Sequence, residues 1–239
     1  MNRRIDDVFE LLGRWRHLPS YQLERRADIF FALFLREMLA ERFGVELEEE
    51  LVPEFPVKRE LIWPSHETNK SVKVDYVAFA GDRSRCFFVE LKTDVGSRRD
   101  AQDEYLERIE ELGLAAVLGG VVDIVRATSA HKKYFHLLSM LEGLGLLELP
   151  DGLAEHTFPR ATRGRSELLG DIEVCVEPGE FAVDVVYVQP KGDGDGVIDF
   201  AEFADWLDGR GALADAFAEA LLEWRRPAGE LTSFAGTGD

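Results

Sequence analysis

The chain has 239 residues, 46% of them apolar and 31% charged, which suits one sizeable core or one domain with a large extension. Cys86 and Cys175 lie 89 positions apart and match no CxxC or Cys/His metal spacing, which excludes a disulfide scaffold and a zinc finger and fits a reducing cytoplasm. The net charge of -18 argues, taken alone, against a polyanionic partner, and the longest uncharged apolar stretch, Leu112 to Val122, is only 11 residues long, too short to span a membrane.

Acids and Gly13-Arg14 interrupt any apolar run behind Arg3-Arg4, so no secretion signal is expected. Ile5, Val8, Phe9 and Leu12 have helical spacing over Arg3 to Leu18, and Pro19-Ser20 ends that helix. A second helix is predicted over Gln22 to Phe43, buried through Ile29, Phe30, Leu33, Phe34, Met38 and Phe43, with Gly44 as its stop. Pro53, Pro56 and Pro64 make Leu51 to Trp63 an edge strand or irregular extended segment. Ser71 to Ala80 and Arg85 to Lys92 read as strands joined by the turn Gly81-Asp82-Arg83-Ser84, and hence as a hairpin.

Ser97-Arg98-Arg99-Asp100 resembles a capping box that opens a helix to about Leu112, with Ala101, Tyr105, Leu106 and Ile109 on its apolar face. A further strand is expected within Ala115 to Val125 and a helix over His131 to Leu144. Strands follow at Asp171 to Val176 and Phe181 to Gln189, then two acidic helices near Phe200 to Asp208 and Leu213 to Arg225. The order implies an α/β or α+β fold, with a domain over residues 1–190 and an acidic helical extension over 191–239.

Charge is unevenly spread. Residues 1–100 carry 17 Lys and Arg against 19 Asp and Glu, whereas residues 101–239 carry 11 against 27. Only the first part is electrostatically compatible with nucleic acid. An acidic surface of this kind also suits a high-salt cytoplasm, where bulk repulsion is screened.

If the hairpin turn is centred between Asp82 and Arg83, Asp75 falls directly across from Glu90. Opposite residues of an antiparallel pair have Cβ atoms about 4.5–5.5 Å apart on one face. Lys92, two positions after Glu90, points to that face as well. Two adjacent carboxylates repel, and a divalent cation would offset the repulsion. The alternative is a structural cluster in which Lys92 salt-bridges the acids.

Val74-Asp75 on one strand, followed by Phe87-Phe88-Val89-Glu90-Leu91-Lys92 on the next, resembles the motif of the PD-(D/E)XK nuclease superfamily, which has the restriction-endonuclease-like fold. The resemblance covers about residues 22–130 and is strengthened by a following helix with Ser97, Gln102 and Tyr105. Val74 stands where the motif has proline. The resemblance implies a mixed sheet flanked by helices and metal-dependent hydrolysis of phosphodiester bonds, with DNA the expected substrate and the choice between DNA and RNA left open by the sequence. Asp75, Glu90 and the carbonyl of Leu91 would hold Mg²⁺ or Mn²⁺, and Lys92 would position or deprotonate the attacking water. It also suggests Glu37, from the preceding helix, as a further member of the metal shell, where a structural ion pair is the alternative. Gln102 would bond near the scissile phosphate, while Tyr105 is expected to pack.

Arg98 and Arg99 at a helix start, and Lys132 and Lys133, are candidate phosphate contacts, with solvated basic turns as the alternative. Asp193-Gly194-Asp195-Gly196-Val197-Ile198-Asp199-Phe200-Ala201-Glu202 resembles positions 3 to 12 of an EF-hand calcium loop, with Asp193, Asp195, Asp199 and Glu202 as ligands. Position 1 would be Lys191, and a strand precedes the loop where a helix is expected; the alternative is a turn leading into a helix capped by Asp199. Three readings stay open: a DNA nuclease, a non-catalytic binding or assembly module of the same fold, and a calcium-responsive interaction protein. A homodimer is compatible with each.

Overall fold

The computed structural model describes residues 3–64, 70–94, 100–153 and 165–226. Helices α1 (Arg3–Trp15) and α2 (Leu23–Phe43) lead into strand β1 (Val52–Lys58), a one-turn helix α3 (Arg59–Ile62), and strands β2 (Ser71–Phe79) and β3 (Arg85–Leu91). Helices α4 (Asp100–Ala127) and α5 (His131–Gly143) follow, then β4 (Leu147–Glu148), α6 (Arg165–Gly170), β5 (Glu173–Val174), β6 (Ala182–Gln189), β7 (Val197–Asp199), α7 (Phe200–Leu207) and α8 (Ala212–Trp224). Five strands form one sheet in the order β1-β2-β3-β6-β7, flanked by helices, and β4 pairs with β5 in a separate two-stranded sheet.

The sheet is mixed. β1, β2 and β3 are antiparallel neighbours, and β7 runs parallel to β6. Between β3 and β6, Ala182 N donates to Ser84 O at 2.9 Å and Lys92 N donates to Val188 O at 2.8 Å. Residue numbers rise together along both chains, so β6 is parallel to β3. A parallel neighbour needs a long crossover, which the helices between β3 and β6 supply. β1 is the edge strand that its prolines predicted.

Two compact units divide the chain. One comprises Leu39–Glu90 and Asp100–Val185; the other comprises Met1–Met38, Leu91–Arg99 and Val186–Asp239. In the first, β2 and β3 are buried almost continuously from Val74 to Phe79 and from Cys86 to Glu90, as central strands covered on both faces are. The segment expected as a strand within Ala115 to Val125 is the second half of α4. Gly113, at φ 74° and ψ 163°, breaks the helix, which resumes through the buried Leu114, Val117, Leu118, Val121, Val122 and Val125. That spacing is helical, and it overrides the β-branched composition. Gly120 allows α4 a close approach: a Cβ there would stand 2.6 Å from Leu61 Cδ1. Of the strand expected over Asp171 to Val176, only Glu173–Val174 forms.

In the second unit an aromatic cluster organises the helices. Phe217 of α8 lies against Phe9, Phe30, Phe31, Phe34, Phe203 and Trp224, with ring centroids 5.1–6.2 Å apart. Helices expected as an appendage over 191–239 therefore share a core with α1 and the first part of α2. α2 buries Ala27, Phe31, Leu35 and Met38, one stripe at helical spacing. Ile29 and Leu33, expected inside, are turned outward, 58% and 55% exposed.

Candidate functional site

The turn sets the register of the β2–β3 hairpin. Asp82 Oδ1 accepts from Ser84 N at 2.9 Å and from Ser84 Oγ at 2.6 Å, and both bonds hold the Asp82 carboxyl below its ordinary pKa. Arg83 takes the left-handed conformation at φ 62° that the reversal requires. Pairing then proceeds Phe79 with Cys86, Ala78 with Phe87, Val77 with Phe88 and Tyr76 with Val89. This is the register expected from the turn, and continued one step past Tyr76 and Val89 it would bring Asp75 across from Glu90.

Glu90 is only 4% exposed, and a buried carboxylate requires donors. α4 supplies two, three positions apart and so on one helix face. Gln102 Nε2 donates to Glu90 Oε1, and at 3.2 Å to the Tyr105 hydroxyl. Tyr105 in turn donates to Glu90 Oε2 at 3.1 Å. Burial chiefly raises the Tyr105 phenol above its ordinary pKa, and the charges of Glu90 and Asp75 push it the same way. The phenol thus remains a donor at neutral pH. Asp75 is half-buried.

Tyr105 is buried, as its expected packing role requires, and its hydroxyl also belongs to the polar cluster. The i, i+3 spacing of Gln102 and Tyr105 was the available signal, but nothing in the sequence gave the partner.

In the other unit, the chain continuing from β3 carries Lys92 and Thr93, only 5% and 4% exposed. Lys92 Nζ donates to the carbonyl of Leu91 at 2.8 Å. An ammonium group therefore rests on the carbonyl that the resemblance implies as a metal ligand.

Glu37, suggested as a further member of the metal shell, is exposed on α2. It follows Ile29 and Leu33 at intervals of four along the outward side of the helix. Lys132 and Lys133 are exposed in the first turn of α5. Arg98 and Arg99 lie outside the described residues.

The segment resembling a calcium loop is preceded by β6 and itself contributes β7. Asp199 Oδ1 caps α7 by accepting from Ala201 N at 2.8 Å and Glu202 N at 2.9 Å, while Asp199 Oδ2 pairs with Arg225 at 3.1 Å. Among the described residues, no group of three or more His, Cys, Asp and Glu side chains is gathered so as to hold a metal ion. No described helix is long and apolar enough to cross a membrane. No family model matches the chain, and neither a curated protein nor a solved structure matches it.

Proposed function

We propose that the protein is a metal-dependent nuclease with a restriction-endonuclease-like core, cutting phosphodiester bonds in DNA through Asp75, Glu90 and Lys92. The observation that carries this reading is the hairpin register from Phe79 with Cys86 to Tyr76 with Val89, whose next step would bring Asp75 opposite Glu90, together with the bonds from Gln102 and Tyr105 to Glu90. The antiparallel run β1-β2-β3, followed by a helical crossover to a parallel β6, supports the fold assignment.

The donors suit a hard divalent cation, because two carboxylates and a backbone carbonyl are all oxygen ligands. The Lys92 ammonium on the Leu91 carbonyl is a cation already drawn to that oxygen. Asp75, Glu90 and Leu91 would hold Mg²⁺ or Mn²⁺, which when bound supplies charge stabilisation at the phosphoryl oxygens and a more acidic water. Gln102 and Tyr105 keep the Glu90 carboxylate in one orientation with neutral donors. Lys92 is placed by its backbone bond to Val188, and its ammonium would orient the attacking water or, after giving up one proton to solvent, take the water's proton as the neutral amine.

A non-catalytic module is the second reading, favoured by the fact that both Glu90 oxygens already accept hydrogen bonds within the fold. Incubation with supercoiled plasmid, linear DNA and RNA under Mn²⁺, at several salt concentrations, separates the two. The expected result is DNA cleavage that falls by roughly 10²–10⁴ in Lys92→Ala while the circular dichroism spectrum is unchanged. Absence of cleavage of every substrate, or wild-type cleavage by Lys92→Ala, would overturn the nuclease reading.

A further inference from the structure

Arg16, just beyond α1, is an unusual arginine. Its side chain is only 5% exposed, yet its sole ion-pair partner among the described residues is Asp94, at 3.4 Å, whose own side chain is 60% exposed. The same Nη2 reaches the carbonyl of Arg226, again at 3.4 Å. Arg16 Nε is buried and has no acceptor among the described residues. A guanidinium presents five donors in a rigid fork suited to two-pronged binding of carboxylate or phosphate, and burying it underused is costly. Among the described residues its side chain makes two contacts at the outer limit of hydrogen bonding, both through one nitrogen, and Nε makes none.

Position adds to the chemistry. Asp94 stands two residues after Lys92 and one after the buried Thr93, so the ion pair ties the end of α1 to the segment that leaves β3. We propose that Arg16 is a phosphate-binding residue, covered by Asp94, which a nucleic-acid backbone phosphate displaces on binding. Asp94 is the anion that occupies the fork in the free protein. Its side chain is largely exposed, whereas that of Arg16 is buried. The contact is to the backbone and carries no base information. The inference rests on the nuclease reading for the carrier of the phosphate, not for the phosphate chemistry itself.

Two variants test it, with fluorescence anisotropy of a short labelled duplex measured in EDTA across a salt series, so that binding is read without cleavage. Asp94→Asn removes the competing charge and is expected to tighten duplex binding roughly two- to fivefold, the range that an exposed ion pair controls. Arg16→Gln is expected to weaken binding and to lower the slope of log affinity against log salt by about 0.9, the value of one phosphate contact. Thermal melts in inorganic phosphate form the second arm: phosphate is expected to raise the melting temperature of the wild type and of Asp94→Asn, but not of Arg16→Gln.

An unchanged salt slope in Arg16→Gln, together with unchanged affinity in Asp94→Asn, would overturn the proposal and leave Arg16 as a tie between α1 and the chain after α8. Stabilisation by inorganic phosphate without any effect on duplex binding would overturn the nucleic-acid source while supporting the anion site. Wild-type plasmid cleavage under Mn²⁺, scored on the same preparations, reports on the nuclease reading separately.

Discussion

Glu90 and Asp199 are both carboxylates pinned at the edge of helices, but by different kinds of donor. Glu90 is held by the amide of Gln102 and the phenol of Tyr105, which carry no charge. Asp199 is held by the guanidinium of Arg225 and by two amides at the start of α7, where the helix dipole is positive. The amide and the phenol fix the orientation of the Glu90 carboxylate. A cationic partner and a helix terminus satisfy both the geometry and the charge. Two acidic motifs of similar appearance in sequence are thus held by differently built surroundings.

The largest effect that would sharpen this contrast is on activity. Glu90→Gln is expected to lower Mn²⁺-dependent plasmid nicking by roughly hundredfold or more, about 2.7 kcal/mol in barrier, with the fold intact by circular dichroism. Undiminished nicking would erase the distinction between the two carboxylates. Asp199→Ala is expected to act on stability instead. Losing the cap and stranding Arg225 should cost about 2 kcal/mol, or roughly 4–8 °C in the melting midpoint, with nicking preserved. Calorimetry should show no saturable Ca²⁺ binding in the wild type; a saturable heat lost in Glu202→Gln would reverse the assignment of the 193–202 segment.

Tyr105→Phe removes one donor from the buried Glu90 while keeping the ring. About 1 kcal/mol of stability should be lost, and nicking should fall roughly tenfold as the carboxylate gains freedom. Tyr105→Phe that nicks at the wild-type rate would show that Gln102 alone suffices.

The smallest effect is that of pH on a third pinned acid, Glu180, whose pKa is lowered chiefly by its hydrogen bond from Arg83. A depressed carboxylate contributes stability that is present above its unfolded pKa and disappears as pH falls through its folded value. Denaturation of Glu180→Gln should therefore differ most from wild type at neutral pH and converge on it in acid. A difference that grows in acid would contradict the Arg83 assignment.

Much of this was legible from residue order. The Gly81 to Ser84 turn specified the hairpin register because a turn of that composition leaves one pairing that buries the flanking apolar runs. Asp199 as a cap could be read from Glu202 three residues on. The Ala115 to Val125 segment was misread as a strand because short apolar runs rich in valine satisfy both periods until the spacing of 114, 117, 118, 121 and 125 is weighed. Ile29 and Leu33 were misplaced because α2 is apolar on most faces, and only its packed stripe shows which side is covered. Arg16 gave no signal at all, since the groups its guanidinium meets, Asp94 and the Arg226 carbonyl, lie 78 and 210 positions away.

Strand β1 has a consequence for the molecule in a crowded solution. Pro53 and Pro56 withhold two amide donors along one border of the sheet, and Glu54 between them takes a left-handed φ of 52° that warps the strand. At the opposite border β7 spans only three residues. Neither rim offers the long, flat row of hydrogen-bonding groups on which amyloid-like stacking is templated. The sheet can therefore be rich in phenylalanine and valine without recruiting neighbouring chains into fibrils.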